Sequence, residues 1–162
     1  EIGGSIAVNG ACLTAVQLEP HAFAADVSRE TLSLTTAGDW TPATRINLEK
    51  GLTGWQALGG HYVTGHVDGV GTVVSRHDDA RSVRVEFEVP VELARYVARK
   101  GSICVDGVSL TVNGVDGRRF DVNLVPHTLE MTILGDYRPG TRVNLEVDLI
   151  ARYVERMMQA QL

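Results

Sequence analysis

A segment that occurs twice in the chain limits its possible folds more than any other feature of the sequence. Residues 101–112 read GSICVDGVSLTV, and residues 4–15 read GSIAVNGACLTA. A shift of 97 positions aligns residues 4–49 with residues 101–146 without any insertion, and 19 of the 46 aligned positions are identical. Two unrelated segments of this composition would not match so closely. The chain is therefore a duplicated module, and its 162 residues are expected to form two small domains.

The second copy is preceded by a segment that has no counterpart before the first copy. This segment, residues 65–100, has in order the patterns of a strand, a charged tip, an alternating strand and a short helix: 67–76, 77–81, 82–89 and 90–99. Because the two copies are otherwise so alike, we expect an equivalent segment to precede Glu1 in the native protein.

Turn dipeptides divide each copy into short strands. Asn9-Gly10 and Asp106-Gly107 each separate two β-rich runs. Asn-Gly and Asp-Gly supply the positive φ angles that a two-residue hairpin turn requires. A further turn is predicted at Asp116-Gly117, and Glu19-Pro20 stands at the matching place in the first copy. Each copy is therefore predicted to be an antiparallel meander.

A short helical turn and a closing strand complete each copy. The helical turns are predicted at Thr31-Leu32 and Thr128-Leu129, and the closing strands at residues 45–49 and 142–147. So many short strands at close spacing favour a small barrel, because closure removes exposed strand edges. The predicted fold class is mostly β: two tandem six-stranded antiparallel Greek-key barrels, the first one N-terminally truncated, followed by a C-terminal α-helix.

The predicted domain boundaries are 1–64 for the first barrel, 65–147 for the second barrel and 148–162 for the helix. Apolar residues recur at helical spacing between Leu149 and Met158, with charged residues on the other side. Such a helix could fold back on its own barrel or pack against copies of itself as an oligomer seam. The periodicity leaves both interpretations open.

Composition and charge exclude several functions. The net charge is −5, and no Lys/Arg stripe interrupts it, so no nucleic-acid partner is expected. No apolar run approaches the ~20 residues of a membrane span. Cys12 and Cys104 do not stand at equivalent places in the repeat, which disfavours a disulfide framework. A reducing, cytoplasmic setting is the expected location.

The stretch between the copies is unusually rich in glycine. Residues 58–73, LGGHYVTGHVDGVGTV, contain five glycines together with His61 and His66. Glycine at this density lets the main chain approach a ligand closely, but it is equally typical of a tight crossover between domains. The glycines lead into a strand rather than a helix, which excludes a Rossmann-type nucleotide site. His61 and His66 are five residues apart and would face opposite ways on an extended strand, and the pattern matches no zinc signature, so no metal is expected.

Cys12 has two interpretations. An activated nucleophile would need a base or a helix N-terminus beside the thiol, and the sequence places neither there. The pattern therefore favours a half-buried thiol on a strand.

Several motifs together resemble those of riboflavin synthase: GSIAVNGACLT, LGGHYVTGHVDGVGTV, KGSICVDGVSLTV, the PHTL of residues 126–129 and the VNLEVD of residues 143–148. The resemblance covers essentially the whole chain. It implies a homotrimer with the C-terminal helices at its centre, and sites formed between the first barrel of one subunit and the second barrel of a neighbour. It implies dismutation of two 6,7-dimethyl-8-ribityllumazine molecules per site to riboflavin and 5-amino-6-(ribitylamino)uracil, without cofactor or metal. It also suggests association with lumazine synthase.

The resemblance assigns roles to individual residues. His66 and Ser5 are expected to transfer protons, Cys12 to position or polarise the substrate, and Asp148 to assist from the C-terminal side. The substrate-binding residues expected in the first barrel are Cys12, Leu13, Thr14, Asp26, Val27, Ser28, Arg29, Glu30, Thr31, Gly65, His66 and Val67. Those expected in the second barrel are Lys100, Ser109, Leu110, Thr111, Val125, Pro126, His127, Thr128, Leu129 and Glu130. The family opens with a Phe-Thr-Gly segment that lines the site. This chain begins after that position, so exposed sheet edges or disorder are expected near Glu1 unless a separate piece of chain supplies the missing strands.

A non-catalytic lumazine- or flavin-binding protein of the same fold is the alternative function. The histidine-containing GGHYVTGH stretch and the SLT motif of the second copy favour the enzyme. An oligonucleotide-binding barrel would need exposed aromatic residues and basic grooves. With 6 % aromatic residues and a negative net charge, the chain does not fit that class.

Overall fold

The computed structural model describes residues 1–160, and this part of the chain is mostly β. Its strands are β1 Ser5–Val8, β2 Ala11–Glu19, β3 Ala22–Ala25, β4 Leu48–Lys50, β5 Gly69–Asp79, β6 Ser82–Glu88, β7 Ser102–Val105, β8 Val108–Asp116, β9 Arg119–Leu124 and β10 Arg142–Val147. Its α-helices are α1 Arg29–Leu34, α2 Pro126–Met131 and α3 Leu149–Gln159, and 3₁₀ turns span Thr36–Asp39, Ala94–Tyr96 and Ile133–Asp136. The last two residues of the predicted helix, Gln161 and Leu162, lie outside the described residues.

The second half of the chain closes into a six-stranded antiparallel barrel. Its strand order is β10-β5-β6-β9-β8-β7, so the meander β7-β8-β9 is followed by a strand that returns beside β7. This order is the Greek key. Buried side chains alternate with more accessible ones along strands β6 and β9, which directs Phe87 and Phe120 inward. Their rings stack at a centroid distance of 5.1 Å, and Tyr137 meets Phe87 edge-on at 6.1 Å. The predicted second barrel is confirmed.

The first half repeats the same Greek key but does not close. Its sheet has the order β3-β2-β1-β4, and Ser5 pairs with Thr14 just as Ser102 pairs with Thr111. In the second half, the counterparts of β3 and β4 are β9 and β10, which pair with β6 and β5. Within residues 1–160, β3 and β4 pair with no other strand on their outer sides. The predicted open edges of the first barrel are thus present.

The turns predicted at Asp116-Gly117 and Glu19-Pro20 lie one residue later in the structure, because β8 extends to Asp116 and β2 to Glu19. The hairpin turns predicted at Asn9-Gly10 and Asp106-Gly107 are confirmed by main-chain conformation. Asn9 and Gly10 have φ of 44° and 77°, and Asp106 and Gly107 have φ of 45° and 84°. Positive φ at both central residues is the type I′ pattern, whose twist matches that of the flanking strands.

Other predicted boundaries also differ from the structure, and the strand predicted at 67–76 is β5, which begins at Gly69. The charged tip at 77–81 is shorter, because β5 and β6 extend around a two-residue turn at Ala80 and Arg81. The short helix predicted at 90–99 is reduced to the 3₁₀ turn Ala94–Tyr96. The closing strand predicted at 45–49 is β4, which is only three residues long. Strand β4 pairs with β1 alone. Its counterpart β10 is six residues long, because β5 pairs with its first part and β7 with its last part. A single neighbouring strand therefore supports a shorter strand.

The two halves meet at their hairpin turns through a reciprocal set of hydrogen bonds. The main-chain N–H of Asn47 donates to Asn9 Oδ1 at 2.6 Å, and that of Asn144 donates to Asp106 Oδ1 at 2.8 Å. The side-chain amides of Asn47 and Asn144 then cross to the other half. Asn47 Nδ2 donates to the carbonyl of Asp106 and Asn144 Nδ2 to that of Asn9, each at 2.8 Å. Because 97 positions separate the members of each pair, the contact follows the duplication itself.

The contact between the halves is extended by charge and by one buried carboxyl group. Arg45 pairs with Asp136, and the equivalent residues Arg142 and Asp39 form the reciprocal ion pair. Asp106 is buried and also accepts a hydrogen bond from the Tyr137 hydroxyl at 2.5 Å. Burial raises the pKa of Asp106 to about 6, although the hydrogen bonds from Tyr137 and Asn144 oppose the shift.

Helix α3 begins at the N-cap Asp148, whose Oδ1 accepts from the N–H of Ile150 at 3.0 Å. Its polar side contacts its own barrel, because Glu155 accepts hydrogen bonds from Arg95 and from the Tyr96 hydroxyl. Its apolar stripe is exposed in the single chain and comprises Ile150, Tyr153, Val154, Met157 and Met158. Among the described residues, no helix is long and apolar enough to cross a membrane.

Candidate functional site

Six of the predicted substrate-binding residues line one cleft in the first half of the molecule. This first-half cleft has a volume of about 230 Å³ and lies between β2, α1 and the stretch that joins the halves. Its lining residues are Ala11, Cys12, Glu30, Thr31, Leu34, Thr35, Gly65, His66 and Val67. The cleft therefore brings together Cys12 and His66, which are far apart in the sequence.

A close main-chain contact forms the floor of the first-half cleft. The N–H of Cys12 donates to the carbonyl of Gly65 at 2.8 Å. Gly65 has a φ of +79°, and a Cβ at this position would lie 2.6 Å from the Cβ of Cys12. Glycine is needed here for both reasons.

Cys12 itself is exposed, so the interpretation as a half-buried strand thiol is wrong. In β2 the side chains alternate, and Leu13 takes the buried position instead.

The wall opposite β2 is the start of α1. Ser28 is the N-cap, and its hydroxyl accepts a hydrogen bond from the N–H of Thr31 at 3.0 Å. This cap satisfies one of the free N–H groups in the first turn. It places Glu30 and Thr31 at the cleft, whereas Asp26 to Arg29 precede them and do not line it.

A buried carboxylate anchors the joining stretch beside the cleft. Glu146 on β10 is 2 % exposed. Its Oε1 accepts from the N–H of Thr64 at 2.8 Å and from the Thr64 hydroxyl at 2.6 Å, and its Oε2 accepts from the N–H of Gly65 at 2.9 Å. A buried carboxylate is stable only with such partners. Glu146 is not among the residues predicted for the site. The signal that could have found it is the identity of Glu49 and Glu146 in the repeat.

The second half carries a related arrangement around Ser109, the repeat equivalent of Cys12. The Ser109 hydroxyl lies 2.7 Å from His61 Nδ1 and accepts from the His61 N–H at 3.3 Å. A Cβ on Gly60 would lie 2.4 Å from this hydroxyl. Each half therefore packs one Gly-His pair of the joining stretch against the same strand position. His61 is not among the predicted site residues, although the sequence contains the two Gly-His pairs at Gly60-His61 and Gly65-His66.

The environment of His61 differs from open solvent. Burial lowers the pKa of His61, while the negative charges of Asp148 and Glu146 act in the opposite direction. Its Nε2 is buried and has no hydrogen-bond partner within the described part of the chain. Asp148, a predicted catalytic residue, thus belongs to the surroundings of His61 rather than to the first-half cleft.

The other predicted residues lie outside the lining of the first-half cleft and outside the contact between Ser109 and His61. Ser5 and Thr14 are exposed and paired across β1 and β2, next to Cys12 but outside the lining of the first-half cleft. Thr111 is exposed on β8, Leu110 is buried, and Lys100 precedes β7 with a φ of +66°. The remaining predicted residues, Val125, Pro126, His127, Thr128, Leu129 and Glu130, form the N-cap and first turns of α2. Among residues 1–160, no group of three or more metal-ligating side chains is placed to hold a metal ion.

Comparison with known proteins gives consistent matches. The family model of the lumazine binding domain matches residues 1–51 and 64–148. The riboflavin synthase of Mycobacterium tuberculosis is 49 % identical over 162 residues, which cover 98 % of this chain and 81 % of that protein. The riboflavin synthase of Photobacterium phosphoreum is 44 % identical, with 98 % and 72 % covered. That of Bacillus subtilis is 37 % identical, with 97 % and 73 % covered.

Solved structures agree with the fold. The chain is similar to LumP in its complex with riboflavin, with a TM-score of 0.84, 25 % identity, and coverage of 91 % of this chain and 79 % of that chain. LumP complexed with 6,7-dimethyl-8-(1'-D-ribityl) lumazine gives a TM-score of 0.81 at 24 % identity, with the same coverage. Since the family model spans most of the chain and the relatives match almost its whole length, the chain belongs to the riboflavin synthase family of lumazine-binding proteins.

Proposed function

We propose that this protein is a riboflavin synthase, a transferase that moves a four-carbon unit between two molecules of 6,7-dimethyl-8-ribityllumazine. The products are riboflavin and 5-amino-6-(ribitylamino)uracil. The observation that carries the proposal is the doubled site: each half sets a Gly-His pair against the strand position of Cys12 or Ser109. Two like binding places suit a reaction whose two substrates are the same molecule.

The physical advantage of such an arrangement is orientation. Two bound lumazines held with their reacting carbons in contact no longer need to meet by diffusion, and this effect can supply much of the rate. We propose that one lumazine binds in the first-half cleft and the other beside Ser109 and His61. No cofactor is part of the proposal.

The proton transfers are proposed to involve His66. An imidazole can accept and return a proton near neutral pH, and the reaction removes a proton from the acidic 7-methyl group. Cys12 would position or polarise the lumazine in the first-half cleft, since Cys12 and His66 both line that cleft. Ser5 is proposed to relay a proton from the neighbouring strand, and Asp148 to act beside His61 in the second half.

The proposed assembly is a homotrimer in which the first half of one subunit faces the second half of the next. The exposed apolar stripe of α3 supports this proposal, because a contiguous apolar helix face that its own barrel leaves uncovered is typical of a protein–protein contact. The proposed units are residues 1–64, 65–147 and 148–162. A cytoplasmic location and an association with lumazine synthase complete the proposal.

The test is to mix the purified chain with 6,7-dimethyl-8-ribityllumazine and to follow the appearance of riboflavin by absorbance and fluorescence. Riboflavin formed in proportion to protein supports the enzyme. The second candidate is a non-catalytic lumazine- or flavin-binding protein, which the similarity to LumP favours. Saturable binding of the lumazine without turnover would support that candidate. If the chain neither binds nor converts the lumazine, both functions are wrong.

A further inference from the structure

Arg152 on α3 links the C-terminal helix to the main chain of His66. Its Nη2 donates to the carbonyl oxygen of His66 at 2.9 Å and to Asp68 Oδ2 at 2.8 Å. Its Nη1 lies 2.6 Å from Asp68 Oδ1, so the guanidinium engages both oxygens of that carboxylate. A bidentate pair of this kind fixes the orientation of both side chains more strictly than a single ionic contact.

Asp68 is itself held to the barrel. Its N–H donates to the carbonyl of Leu145 at 2.8 Å, and its Oδ2 accepts from the N–H of Val147 at 2.8 Å. The Asp68 side chain is only 14 % exposed. Burial raises the pKa of Asp68, while the Val147 N–H and Arg152 act to lower it. Arg152 is therefore the counter-charge of Asp68, and the same guanidinium group also donates to the carbonyl of His66.

His66 is consequently fixed from both sides. The N–H of Cys12 holds the carbonyl of Gly65 in the peptide group before His66, and Arg152 holds the carbonyl of His66 in the peptide group after it. Two fixed neighbouring peptide groups determine the direction of the Cα–Cβ bond between them. The direction of this bond sets where the imidazole lies in the first-half cleft.

We propose that Arg152, together with Asp68, is a positioning residue that aims the imidazole of His66 into the first-half cleft. The catalytic part of this inference rests on the proposed riboflavin synthase function. Because α3 also carries the exposed apolar stripe, any contact that moves this helix is transmitted to His66 through Arg152.

The test compares Arg152→Gln with Arg156→Gln, which removes the same charge from an exposed position one turn later on α3. The first readout is the ring resonance of His66 in a chain with isotope-labelled histidine, assigned among the five histidines with His66→Gln. We expect Arg152→Gln to shift the His66 signal and to leave those of His21 and His77 in place. Arg156→Gln should shift none of them. Arg152→Lys keeps the positive charge but lacks the planar guanidinium that contacts both oxygens of Asp68. It should shift the His66 signal less than Arg152→Gln does.

The second readout is turnover of the lumazine. We expect Arg152→Gln to lower kcat roughly 10-fold with less than about a threefold change in KM, since a displacement of ~1 Å can cost up to 10²-fold. If Arg152→Gln fails to fold, Asp68→Asn takes its place in both measurements. An unmoved His66 resonance in a folded variant would overturn the positioning role. Absence of turnover in the unmodified chain would instead contradict the proposed function, and the resonance would still decide the role of Arg152.

Discussion

His66 is the residue on which the proposed chemistry depends most directly. We expect His66→Ala to slow riboflavin formation by about 10²-fold, the lower end of what a general acid or base contributes. The fold should be retained, because the structural hydrogen bonds at this position come from main-chain groups of Gly65 and His66. His77→Ala, at an exposed position on β5, is the control and should have the activity of the unmodified chain. Equal rates in the two variants would remove His66 from the mechanism.

Gly65 is a second residue whose side chain, here a hydrogen atom, determines the site. In Gly65→Ala a methyl group would meet the Cβ of Cys12 at 2.6 Å, and the residue would keep a φ of +79°. A non-glycine residue in that conformation costs about 1–3 kcal/mol. We expect the free energy of unfolding to fall by at least this amount and lumazine binding to weaken. Gly54→Ala, where no atom lies within 4 Å of the added Cβ, should change stability by less than ~0.5 kcal/mol. Equal melting temperatures in the two variants would contradict this account.

At the scale of elements, the joining stretch is held to the second barrel by Glu146. Glu146→Gln replaces an oxygen that accepts hydrogen bonds with an amide NH₂ that cannot, so at least one N–H of Thr64 or Gly65 loses its partner. Such a loss costs about 1–3 kcal/mol. Urea unfolding should show a decrease of this size, and lumazine binding should weaken because Gly65 borders the first-half cleft.

The repeat supplies the control for this substitution. Glu49 is the equivalent carboxylate in the first copy, and it is exposed on β4. Glu49→Gln should therefore leave stability within ~0.5 kcal/mol of the unmodified chain. If both substitutions were equally harmless, the hydrogen bonds of Glu146 would not be what holds the joining stretch in place.

Elements that depend on neighbouring residues were predictable from the sequence, and contacts between distant residues were not. The hairpin turns at Asn9-Gly10 and Asp106-Gly107 follow from local conformational preference, and they are confirmed. The length of β4 depends instead on how many strands flank it, which no local pattern reports. The bond from His61 to Ser109 joins residues 48 positions apart. The repeat indicated that Ser109 matches Cys12, but it could not indicate which histidine each would meet.

At the scale of the whole molecule, the duplication determines how the halves are joined. Asn47 and Asn144 exchange side-chain hydrogen bonds with the turns of Asp106 and Asn9. A contact made by the same residues in both copies arises when two like surfaces meet around a twofold axis, as in a symmetric dimer. The interface between the halves therefore has the approximate twofold symmetry of a dimer of two like modules. Asp106 departs from this equality, because its counterpart Asn9 bears no charge.

The carboxyl group of Asp106 makes the stability of the interface between the halves depend on pH. Its pKa rises from 3.8 to about 6 in the folded chain, chiefly through burial. The folded state thus binds this proton more tightly than the unfolded state, and the resulting stability is present below about pH 4 and is lost as the pH rises through 6. At about 1.4 kcal/mol for each pKa unit, the loss is about 3 kcal/mol.

We therefore expect Asp106→Asn, which copies the residue at position 9, to be increasingly more stable than the unmodified chain as the pH is raised from 4 to 7. The amide oxygen can still accept from the N–H of Asn144, and the Tyr137 hydroxyl can turn to accept from the new NH₂. Urea-unfolding free energies at several pH values would measure the difference between the two chains. Asp116→Asn, at the exposed end of β8, should show no such dependence. A difference between Asp106→Asn and the unmodified chain that stays constant over this range would mean that Asp106 is ionised in the folded protein throughout, with its charge compensated by Tyr137 and Asn144.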